Sequence, residues 1–227
     1  MCDGVRRFAC CLASGALLLV AAPRAEAQAA DELTAEQHRT IKEGRVVFVT
    51  EDVATSAWPR ACVYQRIDAT PEEAAAVFTN YERQLAYIPN LKEATISRVI
   101  DPMTVEVDYT LDVPIVADEH YTVRDRLSTS PDGASYRIDW TLVRATSTKA
   151  TEGSVRFEPH EHGTLMAYCN LVTPGGRLAG LGFIKSRAMT QVREAAEAIV
   201  TEVERERASD HKLLDAELAA LRAALRK

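Results

Sequence analysis

The sequence predicts an α+β fold, in which an antiparallel sheet of about six or seven strands is followed by one long helix. Three observations support this prediction. Most segments between residues 93 and 173 alternate apolar and polar residues, as half-buried strands do. The turns between these segments are short, which favours an antiparallel meander. From Ile184 to Val203 the apolar period becomes 3.6, which indicates a helix with one buried face.

Two short helices near the start of the chain carry capping signals. Thr34 with Gln37, and Thr70 with Glu73, have the spacing of a capping box, in which side chain and backbone bond reciprocally. Pro71 suits the first position of the second helix. Segments 45–50 and 61–67 are apolar enough to form strands before that helix.

A further short helix is predicted directly after the second one. Asn80 is placed to cap it, and Pro89 ends it because proline lacks the backbone donor. Segment 67–89 therefore predicts a strand end, a capped helix, another short helix and a proline stop.

This segment resembles the signature of the START/SRPBCC superfamily, which includes polyketide cyclase/dehydrase and coenzyme-Q-binding START-like proteins. Asn80 replaces the aspartate that usually precedes the tyrosine of that signature. The resemblance covers roughly residues 44–205, and it also rests on Tyr136-x-x-x-Trp140, Gly153-x-x-x-Phe157 and the Gly163-Thr164 turn.

The resemblance implies a helix-grip fold. In that fold a curved sheet wraps around a long C-terminal helix, and two short helices follow the first strand. The space between sheet and helix is implied to hold a hydrophobic small molecule such as a lipid, a sterol or isoprenoid, or a quinone.

Residues 1–27 have the pattern of an export signal. Arg6 and Arg7 precede an apolar run over 8–22, and Ala25-Glu26-Ala27 is a small-x-small cleavage site. We therefore expect three parts: a signal peptide (1–27), a ligand-binding domain (28–208) and an amphipathic helical extension (209–227). An exported bacterial protein of this kind would lie in the periplasm.

The charge and motif content exclude several classes of function. The formal net charge of −6 argues against nucleic acid and against strong attraction to an anionic lipid surface, so membrane contact is expected to be transient. The sequence has no phosphate-binding glycine loop, nucleophile elbow or set of metal ligands. We therefore expect no cofactor and no metal, and we favour a binding protein over an enzyme.

Two cysteines, Cys62 and Cys169, remain after the predicted cleavage. They form either a disulfide, as an oxidising compartment permits, or a pair of small buried thiols. The resemblance implies that they lie on neighbouring strands, since the first and last strands of that fold are adjacent.

The resemblance also suggests which side chains line the cavity, although for any single one of them we prefer ordinary core packing. The expected lining residues are Tyr87, Ile88, Tyr109, Tyr121, Trp140, Tyr168, Phe183, Met189 and Val192.

The alternative function is a polyketide cyclase or aromatase, which needs polar groups inside the cavity. Its candidates are Arg124, Tyr121, Asp139, Tyr168 and Asn170. For the charged members we prefer ion pairs on the outer face, because charged side chains are rarely buried without partners.

The extension carries Leu214, Leu218, Leu221 and Leu225 at heptad spacing. This seam has three interpretations: packing on the domain, pairing with a second copy or another partner, or a partly frayed tail.

Overall fold

The computed structural model describes residues 28–113, 118–176 and 182–226. The predicted signal peptide lies outside the described residues. The strands are β1 (Val47–Glu51), β2 (Arg60–Ile67), β3 (Leu91–Asp101), β4 (Thr104–Leu111), β5 (Glu119–Thr129), β6 (Tyr136–Ala145), β7 (Thr148–His160) and β8 (Gly163–Pro174). The α-helices are α1 (Ala35–Lys42), α2 (Pro71–Thr79), α3 (Gly182–Ser209) and α4 (His211–Leu225), with 3₁₀ helices at Ala29–Glu32 and Tyr81–Ala86.

The strands form one curved antiparallel sheet in the order β1-β2-β8-β7-β6-β5-β4-β3. The α+β class, the meander and the long C-terminal helix are as predicted, and the architecture is a helix grip. Among the described residues there are eight strands rather than six or seven. The short helices follow β2 and not the first strand, because β1 precedes them.

Strand β3 is the one that the sequence defines least well. It lies at the sheet edge, and its register with β4 shifts at three places. Ala94 is its buried residue, while Val99 and Ile100 are exposed. An edge strand without a consistently buried face lacks the clear alternation that marks the other strands.

The concave face of the sheet holds the main core. Val63, Val107, Ile138 and Phe157 point to this side and pack with the helices. Helix α3 contacts β2 and α2, and contributes Val203 to the same core. The convex face carries a smaller cluster around α1, formed by Ala29, Ile41, Val47, Tyr64, Leu165 and Ala167.

Cys62 and Cys169 are bonded as a disulfide. They lie directly opposite each other on β2 and β8, as adjacent strands allow. Cys62 packs against the convex cluster, so this bond joins two strands on the side away from the main core.

Both predicted capping boxes are present, at Thr34 with Gln37 and at Thr70 with Glu73. The predicted cap at Asn80 is wrong, because its side chain makes no capping bond to the 3₁₀ helix. The Asn80 Nδ2 group instead donates to Glu217 Oε1 of α4 at 2.7 Å. A tertiary contact has therefore taken the group that local capping would have used.

Helix α4 packs on the domain. Leu214 and Leu221 are buried in the main core, and α4 contacts α2 and α3. Arg222 forms a two-bond ion pair with Glu72 of α2, with both distances 2.7 Å. Pairing of this leucine seam with a second copy would require the same leucines to leave the core. No described helix is long and apolar enough to cross a bilayer.

Candidate ligand-binding cavity

A cavity lies between the concave face of the sheet and the N-terminal part of α3. It has an inner lobe of about 190 Å³ and an outer lobe of about 430 Å³. Tyr121, Tyr168 and Asn170 line both lobes, so the two are continuous along one wall. The size and the mostly apolar lining are those of a site for a small organic molecule.

The sequence of α3 explains why this space stays open. Ala188 faces the outer lobe and Ala195 faces both lobes. Alanine reaches only a short distance from the helix axis, so these positions leave the gap to the sheet unfilled. Further along the helix, Val200 and Val203 are longer and are buried in the core, while Ile199 borders the inner lobe.

Aromatic rings form much of the inner lobe. Tyr109 and Tyr121 lie on adjacent strands with ring centroids 5.4 Å apart, and Trp140 and Tyr168 are 5.3 Å apart. Phe78 of α2 stacks near Trp140 at 6.5 Å and closes one side. These rings provide a broad apolar surface with polar atoms at their edges.

Several polar groups of the inner lobe already have partners within the protein. Gln84 Nε2 donates to the carbonyl of Phe78, and Gln84 Oε1 accepts from the hydroxyl of Tyr109 at 2.9 Å. Asn170 Oδ1 accepts from Trp140 Nε1 at 3.2 Å and from the hydroxyl of Thr151 at 3.3 Å. These bonds fix the orientation of the lining.

Glu119 is also satisfied. Its carboxylate accepts backbone N–H bonds from Ser147 at 3.0 Å and from Thr148 at 2.9 Å, and it accepts the Ser147 hydroxyl. Burial alone would raise the pKa of Glu119, but these bonds outweigh that effect and hold the pKa below its usual value. Glu119 is therefore ionised at neutral pH, and its hydrogen bonds connect the start of β5 to the start of β7.

Asp125 differs from Gln84, Asn170 and Glu119, which are all hydrogen-bonded within the protein. It lines the inner lobe, is only 3% exposed, and its Oδ2 atom has no hydrogen-bond partner among the described residues. Burial raises the pKa of Asp125 to about 8. Since an uncompensated charge is costly in such a site, the neutral carboxylic acid is the favoured form at pH 7.

Eight of the nine residues expected to line the cavity do so in the structure. They are Ile88, Tyr109, Tyr121, Trp140, Tyr168, Phe183, Met189 and Val192. Tyr87 is the exception: it packs against the main core, and its buried hydroxyl has no hydrogen-bond partner among the described residues. Burial raises the pKa of Tyr87 well above its usual value, and the negative charges of Glu217 on α4 and Glu202 on α3 raise it further. Tyr87 therefore lies toward those two helices.

The polar residues considered for a cyclase divide into two groups. Tyr121, Tyr168 and Asn170 line the cavity. Arg124 and Asp139 lie on the opposite face of their strands. Arg124 pairs across the sheet with Glu106 at 2.7 Å, and Asp139 pairs with Arg137 at 2.7 Å. These are the outer-face ion pairs that the sequence favoured for the charged residues.

The sequence interpretation missed Asp125, although the strand period contained the signal. Tyr121, Val123, Asp125 and Leu127 alternate along β5, so all four share the inward face. The bonds of Glu119 to Ser147 and Thr148, and the bond of Gln84 to Tyr109, were missed as well, because these partners lie 25 or more residues away in sequence. Among the described residues, no cluster of His, Cys, Asp and Glu is arranged to hold a metal ion.

The outer lobe has a different character. Phe183, at the start of α3, is 56% exposed although it lines this lobe. Arg187 also lines it and pairs with Glu194 at 3.5 Å. The Nε2 atom of Gln191, in the same lobe, is buried without a hydrogen-bond partner among the described residues. The outer lobe therefore offers both an apolar rim and polar groups.

Comparison with known proteins gives matches by structure only. No protein-family model matches the chain, and a search of curated proteins finds no match. The STAR-related lipid transfer protein of Xanthomonas axonopodis superposes with a TM-score of 0.62 at 11% identity, covering 71% of this chain and 94% of that one.

Two further solved structures show the same similarity. Human STARD10 superposes with a TM-score of 0.61 at 12% identity, covering 75% of this chain and 74% of that one. The Zhui aromatase/cyclase of Streptomyces gives a TM-score of 0.53 at 14% identity, covering 65% and 94%. The chain thus has a START/SRPBCC-like fold.

Proposed function

We propose that this protein binds and carries a hydrophobic small molecule in the cavity between its sheet and α3. The observation that carries the proposal is the two-lobed cavity lined by aromatic and aliphatic side chains. Burial of apolar surface contributes roughly 25 cal/mol per Å², so a lipid, an isoprenoid or a quinone would be held without a covalent bond. The lipid-transfer name of the Xanthomonas structure supports the same class of guest.

Native mass spectrometry of the protein purified from its own host tests this proposal. We expect a population heavier than the bare chain, and organic extraction should release the mass difference as a hydrophobic compound. A protein that is always recovered empty, and that takes up no apolar compound added afterwards, would contradict it.

We further propose that the protein works in the bacterial cell envelope after export. The N-terminal pattern motivates this, and the Cys62–Cys169 disulfide supports it, since such bonds persist mainly in oxidising compartments. Mass determination of the protein from a periplasmic fraction should give a chain that begins at Gln28. Uncleaved chain found only in the cytosol would rule the proposal out.

Transfer of the guest is proposed to involve brief contact with lipid. The exposed Phe183 at the outer lobe supports this, because an exposed aromatic side chain at a cavity mouth can enter a lipid surface. Phe183→Ser should slow transfer of the neutral dye N-phenyl-1-naphthylamine to phosphatidylcholine vesicles. The matched control is Val99→Ser on edge strand β3, which should leave the rate unchanged. Equal rates for all three proteins would remove this part of the account.

A second candidate function is cyclisation of a poly-ketone in the same cavity. The observation that favours it is the set of inward-facing polar groups, namely Asp125, Tyr121, Tyr168 and Asn170. Acid–base catalysis needs such groups within hydrogen-bond reach of the substrate. Incubation with a linear poly-ketone should then give a cyclised product that Tyr121→Phe reduces; absence of product with the wild type would exclude this activity.

A further inference from the structure

Among the described residues that line the inner lobe, Asp125 carries the one fully buried side-chain polar atom without a hydrogen-bond partner. The amide of Gln84 and the side-chain oxygen of Asn170 are bonded to neighbours. The carboxylate of Glu119 is held by Ser147 and Thr148. Asp125 Oδ2, by contrast, has no partner among the described residues although the side chain is almost completely buried. A buried polar atom without a partner is costly, which suggests that its partner arrives with the guest.

The surroundings of Asp125 favour its neutral form. No Lys, Arg or His is among the described residues that line the inner lobe. The nearest neighbours along the sheet are apolar or aromatic: Trp140 on β6 and Val105 on β4 lie directly opposite Asp125 in the ladder. Without a cation, a carboxyl group in this setting keeps its proton, and a neutral carboxyl group donates one hydrogen bond.

We propose that the guest carries an uncharged oxygen acceptor, a carbonyl or a hydroxyl, on the end that enters the inner lobe, and that the carboxyl group of Asp125 donates a hydrogen bond to it. This inference rests on the proposed carrier function and narrows its guest to hydrophobic molecules with such an oxygen. Purely hydrocarbon guests would leave the donor unpaired, and cationic guests would require the carboxylate instead.

The proposal predicts a pH dependence that belongs to Asp125. The titratable groups around it are Tyr81 on the 3₁₀ helix, Tyr109 on β4, Tyr121 and Glu119 on β5, and Tyr168 on β8. Burial raises the pKa of each tyrosine well above its usual value, and the pKa of Glu119 is lowered. The residues that α2, β6 and α3 present to this lobe do not titrate. Between pH 6 and 9.5, the protonation of Asp125 is therefore the change expected among the described residues of the inner lobe.

Calorimetric titration with 2-nonanone tests the proposal, because this ketone has one oxygen acceptor and no charge. Nonyltrimethylammonium is the matched cationic probe. For the wild type, we expect 2-nonanone to bind about tenfold more weakly at pH 9.5 than at pH 6, as loss of one buried hydrogen bond implies. Asp125→Asn keeps a donor of similar shape, so it should bind the ketone with little pH dependence. Asp125→Leu lacks a donor, so at both pH values it should bind the ketone about tenfold more weakly than the wild type does at pH 6.

Control measurements distinguish a failure of the proposed Asp125 donor role from a failure of the proposed carrier function. Asp139→Asn changes an acid on the outer face and should behave as the wild type. Uptake of N-phenyl-1-naphthylamine reports on the cavity itself. If the dye binds but 2-nonanone binds equally to wild type, Asp125→Asn and Asp125→Leu, the donor role is wrong while the carrier function stands. Preference for nonyltrimethylammonium that grows with pH and is lost in Asp125→Asn would show a cation site instead. Failure of the dye and both probes to bind would overturn the carrier function and this proposal with it.

Discussion

The two halves of α3 have similar apolar periodicity but different roles. The N-terminal half, 182–195, supplies Met189, Val192 and Ala195 to the cavity wall. The C-terminal half, 196–209, supplies Val200 and Val203 to the packed core, while Ile199 at its start still borders the inner lobe. A helix with one apolar face can thus be a wall of a site over one half and part of a solid core over the other.

The difference comes from what lies opposite each half. Beside the C-terminal half, the 3₁₀ helix presents Arg83, which pairs with Glu202 at 3.0 Å, and α4 closes over the core with Leu214 and Leu221. Opposite the N-terminal half, the two lobes of the cavity separate α3 from sheet residues such as Tyr121, Tyr168 and Val172. Stability should therefore depend on the C-terminal half, and guest binding on the N-terminal half.

The largest expected effect on stability is at α4. Leu221→Ala removes a fully packed side chain that covers the C-terminal end of the core, so the free energy of unfolding should fall by about 2–5 kcal/mol. The matched control is Leu85→Ala, where the leucine is exposed, and its effect should be below about 0.5 kcal/mol. Urea unfolding measures both. Equal, small losses would mean that α4 is not part of the cooperative core.

Loss of the disulfide should lower the free energy of unfolding by nearly as much. Cys62 and Cys169 are 107 residues apart in sequence, and the bond therefore restricts a long loop of the unfolded chain. Replacing both with alanine should lower the free energy of unfolding by about 2–4 kcal/mol. Unfolding with and without reductant gives the same comparison in the wild type. An unchanged midpoint after verified reduction would contradict this expectation.

Asp125 should make stability depend on pH. Its pKa in the folded protein is about 8, above the 3.8 of a free side chain, so the folded state retains a proton that the unfolded state releases. The stabilising contribution is complete below pH 3.8 and is lost as the pH rises toward 8. Asp125→Asn should therefore be more stable than the wild type at pH 9, by about 1–3 kcal/mol, and nearly equal to it at pH 4.

Thermal unfolding across this pH range measures the difference between the two proteins. Asp139→Asn is the control, since that acid is paired with Arg137 on the outer face. Parallel pH profiles for the wild type and Asp125→Asn would show that Asp125 is ionised in the folded protein.

The smallest expected effect on stability lies in the N-terminal half of α3. Met189 borders the outer lobe and is only partly buried, so Met189→Ala should cost less than about 1 kcal/mol. Val203→Ala, in the packed half, should cost more, about 1–3 kcal/mol. Measured side by side by urea unfolding, equal costs would remove the distinction between the two halves.

Much of the fold was predictable because it depends on local patterns. The capping boxes at Thr34 and Thr70, the alternation of β4 to β6 and the long helix all follow from nearby residues. The cap at Asn80 failed because its amide bonds to Glu217, far away in the sequence. Local rules cannot foresee such competition between a cap and a tertiary partner.

The candidate site was predictable in part. Inward-facing apolar residues such as Tyr109 and Trp140 follow from strand period and resemblance, but Tyr87 lies beyond the end of its 3₁₀ helix and turns toward the core. The inward direction of Asp125 was contained in the period of β5, yet a charged residue type argued against burial. The volume of the cavity depends on the distance between α3 and the sheet, which no single segment of the sequence determines.

The central claim is that the cavity beside the N-terminal half of α3 holds the guest. Titration of N-phenyl-1-naphthylamine into Ala195→Trp, with Thr190→Trp as control, tests it most directly. Ala195 faces both lobes, so the added indole should fill them, whereas Thr190 is exposed on the same helix. We expect at least about tenfold weaker binding for Ala195→Trp and unchanged binding for Thr190→Trp. Undiminished binding by a correctly folded Ala195→Trp protein would contradict the account.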